Sequence, residues 1–263
     1  MEIVHKSAEL GLTVIAVADH DTVDSVVPTL LAARAFPQLR AIPAVEINTD
    51  VPNGEAHVLG YFIDHTDHEL RDALEMLRQS RRRRAQGMIA KLRDLGIRIE
   101  WQRVQEMAGD SSIGRPHIAK AMLEKGYINS FKEAFTKYIS RDGPAYVERE
   151  KITQVEAVEL ILRANGLPVL GHPLTIHDPE TMITELKAAG LVGIEAYYNN
   201  YTADEVGRLV SLANKHNLIT TGGSDYHGLD DSSETMIGSA DVPIEAAEQL
   251  IALAKQRALK SVR

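Results

Sequence analysis

Cysteine is absent from the 263 residues, which excludes disulfides and thiolate metal ligands alike. Such a chain suits a reducing compartment, and the cytoplasm is the expected location. No uncharged apolar run reaches the ~18 residues of a membrane span, so no transmembrane helix is expected. The opening MEIVHKSAEL has no basic stretch ahead of an apolar one and does not read as a secretory signal. Cations are outnumbered, with 29 Lys and Arg against 37 Asp and Glu and a formal charge of −8. That balance excludes a broad nucleic-acid-coating surface, yet leaves room for a small anionic substrate held by local cations or metals. Internal repeats and low-complexity segments are missing too, and Trp101 is the single tryptophan.

What is present is an alternation. Short apolar or β-branched runs at Leu12–Ala18, Arg40–Ile47, His57–Ile63, Pro168–Gly171, Val192–Tyr197 and Leu218–Gly222 are separated by helical patterns. This rhythm predicts repeated βα units and a parallel sheet or barrel. Thr153 with Glu156 and Thr202 with Glu205 have capping-box spacing, and Asp178-Pro179 places proline at a first helical position. Residues 66–150 read differently. Thr66 and Glu69 have capping-box spacing ahead of a long helix striped by Leu70, Leu74, Leu77, Met88, Leu92 and Leu95. Ser130 and Glu133 open a further helix, and Trp101 is expected to pack among these helices. The segment is read as a helical insert (66–150) interrupting a barrel domain made of 1–65 and 151–263.

Histidines and carboxylates recur where strands end. The first strand runs into Asp19-His20-Asp21-Thr22, and the second ends near Glu46, with His57 eleven residues later. The fourth ends in Gly171-His172-Pro173, and the sixth enters Gly223-Ser224-Asp225-Tyr226-His227. In parallel barrels the βα loops converge at the C-terminal rim, and chemistry gathers there. Imidazole and carboxylate ligands together suit zinc, manganese or iron. Several such ligands suit a multinuclear site able to activate water and to polarise a phosphoryl oxygen. One histidine beside one strand is more often a hydrogen-bonded loop residue, and Asp-His-Asp by itself also reads as a helix cap. Recurrence at successive strand ends carries the metal reading. Glu195, placed within the fifth strand, ranks below the ligand set.

The ordered set GLTVIAVADHDT, Glu46 followed by His57 in HVLGYFID, then GHP and GGSDYHG resembles the polymerase and histidinol phosphatase (PHP) family over nearly the whole chain. The resemblance implies a distorted (β/α)7, TIM-like barrel that holds up to three divalent metals and hydrolyses phosphate esters. By motif it implies His20, Glu46, His57, His172, Asp225 and His227 as metal ligands, with His20 and Asp21 in the catalytic set. It is closest to a bacterial branch carrying a helical insert after the HVLGYFID-like strand. Members of that branch act on nucleoside 3′,5′-bisphosphates and on the 5′ ends of short oligonucleotides. Gly114-Arg115-Pro116-His117 looks like the branch's substrate-facing segment, which gives Arg115 a bidentate phosphate role with His117 beside it.

One part of the family pattern is missing. PHP proteins begin with a strand bearing His-x-His, then a Ser-Asp-Gly loop and a helix. This sequence starts at MEIVHKSAELGL, which reads as the middle of that helix, and no His-x-His occurs. The expectation is a sequence that begins inside a longer protein. The alternative is a barrel without its first strand that binds fewer metals. Two rival functions follow, a histidinol-phosphatase-like phosphomonoesterase and a non-catalytic module that binds nucleotide or a partner. Arg81–Arg84, four arginines in the long helix, are read as a solvated basic face. Tyr197, Tyr198 and Tyr201 are read as packed or hydrogen-bonded in preference to base-stacking.

Overall fold

The computed structural model describes residues 2–51, 54–109, 111–228 and 235–261. All six expected runs form strands: β1 (Val14–Val17), β2 (Arg40–Val51), β3 (Gly54–Tyr61), β4 (Leu167–Leu170), β5 (Gly193–Tyr198) and β6 (Ile219–Gly223). They make one mixed sheet in the order β1-β2-β3-β4-β5-β6. The helices are α1 (Glu2–Glu9), α2 (Val26–Ala33), α3 (His68–Asp94), α4 (Trp101–Ala108), α5 (Arg115–Glu124), α6 (Phe131–Ala134), α7 (Gln154–Arg163), α8 (Pro179–Ala189), α9 (Ala203–Lys215) and α10 (Ile244–Ser261). The chain divides into two compact units. One comprises Met1–Ala18, Val23–Leu70 and Ile152–Arg263, the other Asp19–Thr22 and Arg71–Lys151.

The expectation of a parallel sheet is corrected at β3. β1 with β2, β4 with β5 and β5 with β6 are parallel, but β3 runs antiparallel to both β2 and β4. The cause is chain length. Only two residues separate Val51 from Gly54, and a parallel return needs a dozen or more. The reversal changes where His57 lies. It opens the run expected from sequence, yet within β3 it is the fourth residue, pairs with Asn48 near the C-terminal end of β2, and its carbonyl accepts from Gly171 N at 2.9 Å. It therefore sits at the same sheet end as the exits of β2 and β4.

Alternation along the strands builds the interior of the first unit. Ile42 and Ala44 of β2, Leu59 and Tyr61 of β3, and Leu167 and Val169 of β4 form one buried cluster. Side chains repeat every two residues on a strand face. Glu46 and Asn48 continue the Ile42–Ala44 face, and His57 continues the face of Leu59 and Tyr61. The same sheet surface is thus apolar at one end and polar at the other. The helices that lead into β4, β5 and β6 start on their expected caps. Thr153 and Thr202 accept from Glu156 N and Glu205 N, each in a full capping box, and Asp178 accepts from Thr181 N. Each cap is worth about 1 kcal/mol.

The second unit is helical, with a core of Met88 and Leu92 from α3, Ile118 and Met122 from α5, and Ile139. Trp101 packs against it. Two details of α3 differ from expectation. Asp67, not Thr66, caps it, accepting from Leu70 N at 2.8 Å, while Thr66 bonds to Asp64. Leu95 is exposed, and Ile97 is the buried residue after the helix.

Candidate metal centre

Glu46 and His57 lie on one face of neighbouring antiparallel strands, with Glu46 opposite Leu59 and Asn48 opposite His57. They are diagonal neighbours, within reach of long side chains. Glu46 Oε1 is 2.5 Å from His57 Nδ1, and His57 Nδ1 is 2.9 Å from His172 Nε2. His172 Nε2 is in turn 3.5 Å from Glu46 Oε1. Three ligand-type atoms from β2, β3 and the turn after β4 therefore converge. Glu46 and His57 also fall within a group of histidine and carboxylate ligand atoms spaced to hold a metal ion.

His172 is delivered by an unusual backbone. Its φ is +25°, in a region that non-glycine residues seldom occupy, and Pro173–Thr175 follow as one tight turn. Asp225 also has positive φ, at +51°. Positive φ at two predicted ligands fits the tendency of functional sites to hold backbone strain. Tyr198 OH donates to Asp225 Oδ2 at 2.8 Å, and Tyr201 OH accepts from Leu174 N at 3.1 Å. Both tyrosines are thus hydrogen-bonded. His227 is exposed, with Nδ1 2.7 Å from Asp225 O.

Sequence reasoning underrated Glu195. It is buried, and its Oε2 accepts from the His172 backbone N–H at 3.0 Å. Burial, with Glu46 and Asp225 adding to it, pushes the Glu195 carboxyl up to about 7 against the pull of His172. Burial alone would depress His172. The Glu46 hydrogen bond and the charges of Glu46, Glu195 and Asp225 outweigh it and raise His172 to about 9. Burial chiefly raises Tyr198 and Tyr61, with Asp225 assisting at the first and Glu195 at the second. The carboxylates of Glu46, Glu195 and Asp225 thus concentrate negative charge around His172 and favour protons on His172 and Glu195. Carboxylate and imidazole donors with that charge fit a divalent cation. The signal that marked Glu195 was its position, one strand over from His172 with its side chain on a buried polar face.

The remaining predicted residues belong to the second unit. His20 follows β1 by three residues, in the stretch Asp19–Thr22. Asp21 is fully buried, with φ of +53°. Its Oδ2 accepts from Arg81 Nε at 2.6 Å and lies 3.6 Å from Arg149 Nη2. The solvated reading of the arginine run is therefore corrected. Arg81 and Arg84 are buried, and only Arg82 and Arg83 face solvent. Arg115 is the first residue of α5, its guanidinium 5.7 Å from the Phe135 ring centre. His117 Nδ1 accepts from Gly114 N at 3.0 Å, so its neutral ring carries the proton on Nε2.

No known family profile matches the chain. Curated relatives do. The chain is 28% identical to the 5′-3′ exoribonuclease Rnm of Escherichia coli over 230 residues, covering 86% of this chain and 78% of that protein. It is 27% identical to the 3′,5′-nucleoside bisphosphate phosphatase of Chromobacterium violaceum over 254 residues, covering 92% and 86%. Among solved structures, a protein from Bifidobacterium adolescentis assigned as a metal-dependent phosphoesterase superposes with a TM-score of 0.85 at 25% identity, covering 95% of this chain and 89% of that one. The chain is thus a homologue of hydrolases that cleave phosphate esters, on a mixed α/β fold shared with a metal-dependent phosphoesterase. Its relatives are a bisphosphate phosphatase and an exoribonuclease, in agreement with the PHP resemblance.

Proposed function

We propose that the chain is a metal-dependent phosphoesterase acting on nucleotides, either removing phosphate from a nucleoside 3′,5′-bisphosphate or cleaving short oligonucleotides from the 5′ end. The observation that carries this is the convergence of Glu46, His57 and His172 within a cluster of three carboxylates, in a homologue of such enzymes. In this reading His20, Glu46, His57, His172, Asp225 and His227 hold divalent manganese, zinc or iron. The sheet belongs to a distorted (β/α)7 barrel of the PHP type. Bound metal would supply Lewis-acid polarisation of the phosphoryl group and a water nucleophile at neutral pH.

The chain's own residues do the rest. Glu195 holds the His172 backbone by accepting its N–H, and Tyr198 orients Asp225 through one oxygen. His117 presents an Nε2–H donor and Arg115 a planar fork at the start of α5, where the helix dipole favours anions. These two groups grip the substrate's phosphate. Asp21 acts through Arg81 and Arg149, which it holds in place.

The test is phosphate release from a 3′,5′-bisphosphate and from a 5′-phosphorylated trinucleotide. Protein stripped by chelator and then resupplied with manganese or zinc is compared with His172→Ala and Arg115→Ala variants. Turnover should vanish on stripping, return with metal and fail in His172→Ala. Arg115→Ala should raise KM most strongly. Full turnover in chelator refutes the proposal.

A further inference from the structure

We propose that Asn48 is a positioning residue for the metal centre, its amide fixing the His57 ring so that Nδ1, and not Nε2, is the ligand atom. The inference rests on the metal-centre reading above. Asn48 is buried directly across from His57 in the β2–β3 pairing. Its side-chain Nδ2, the nitrogen end of an amide whose two ends have the same shape, lies 2.5 Å from His57 Nε2. The opposite ring nitrogen, Nδ1, is the one that faces Glu46 Oε1 and His172 Nε2, at 2.5 and 2.9 Å.

A neutral imidazole carries a single proton. Ligation through Nδ1 requires that nitrogen to keep its lone pair, so the proton sits on Nε2 and needs an acceptor. The Asn48 amide supplies one after a half-turn about its last bond, which exchanges Nδ2 for Oδ1 at His57 Nε2 and leaves its shape unchanged. Outer partners of this kind set the tautomer and orientation of ligating histidines.

His172 shows the same device with the nitrogens reversed. Thr175 Oγ1 donates its proton to the His172 carbonyl at 3.0 Å, so the same oxygen accepts at His172 Nδ1, 3.1 Å away. The proton is thereby held on Nδ1, and Nε2 faces the centre. The two rings offer opposite nitrogens to one spot, each backed by a polar side chain. Asn48 is buried whereas Thr175 is exposed, so the Asn48 contact is the stronger constraint.

The experiment uses chelator-stripped chain loaded with zinc. Affinity is read by competition with a chromophoric chelator, and the His57 ring nitrogens by 15N NMR. In the wild type, Nδ1 should be the metal-bound nitrogen and Nε2 the protonated one. Asn48→Leu removes the acceptor at similar size, and zinc affinity should fall about 10–100-fold with loss of that nitrogen pattern. Asn48→Asp keeps an acceptor and should retain both pattern and affinity, even if Asn48→Leu fails to fold. Ligation through His57 Nε2 in the wild type, or wild-type affinity in Asn48→Leu, overturns the inference alone. So does loss of affinity in Asn48→Asp with the nitrogen pattern intact. Wild-type protein that binds no zinc refutes the metal-centre reading and this inference with it.

Discussion

Replacing Glu46 by Gln tests the electrostatics of the centre most directly. His172 is raised from 6.5 to about 9 against its own burial, with Glu46 the main source of the upward pull. That gap corresponds to about 3 kcal/mol of preference for the imidazolium in the folded state. The folded value lies above the unfolded one. The stabilisation is therefore fully present below pH 6.5 and is lost as pH rises through about 9. Glu46→Gln keeps the shape and removes the charge, so burial counts for more, and the His172 midpoint should fall by about 1–3 pH units. The variant's metal-free stability should drop mainly on the acidic side of that window and change little above it. The midpoint is read from imidazole NMR signals over a pH series, and the stability from urea unfolding at several pH values. Zinc binding near neutral pH should release about one proton from the wild type, seen as a buffer-dependent heat, and less from Glu46→Gln. A wild-type midpoint near 6.5, or one unmoved by Glu46→Gln, would refute the reasoning.

Three further outcomes are expected. Asp21→Ala leaves Arg81 and Arg149 buried without their shared carboxylate and should cost about 3–5 kcal/mol in denaturant unfolding. By contrast Arg83→Ala, which breaks an exposed pair with Glu150, should cost under about 1 kcal/mol, and equal losses would contradict the burial assignment. Gly222→Ala should be strongly destabilising because its Cβ would overlap Tyr197 O across the β5–β6 pair, and an unshifted Tm would exclude that close approach. Thr153→Ala removes the hydroxyl that accepts from Glu156 N at the start of α7 and should lower stability by about 1 kcal/mol in the same unfolding assay, whereas Thr153→Ser should not.

The arginine run shows what the sequence offered and what was passed over. Leu70, Leu74, Leu77, Met88 and Leu92 mark the buried stripe of α3. Continuing its steps of three and four from Leu77 lands on Arg81 and then Arg84, while Arg82 and Arg83 fall outside it. The helical period alone thus marked two of the four arginines as inward-facing. Charge argued the other way, and the decisive carboxylate, Asp21, is 60 residues earlier in the chain. The β2–β3 hairpin was also legible. Pro52-Asn53-Gly54 between two β-branched runs is a turn signal, and reading it would have reversed β3 and placed His57 correctly.

Local chemistry reached a long way in this chain. Six strands, the three caps at Thr153, Asp178 and Thr202, and the recurrence of histidine and carboxylate at strand ends follow from neighbours within a few residues. Periodicity and capping are short-range effects, and a sequence displays them openly. Convergence is not short-range. Glu46, His57 and His172 meet because an antiparallel β3 folds back between β2 and β4, and Glu195 joins them through a backbone hydrogen bond to a residue 23 positions away. There burial raises Glu195, and the neighbouring carboxylates raise His172 against its own burial. Charge and dielectric depend on which groups share a desolvated volume, and only the tertiary structure decides that.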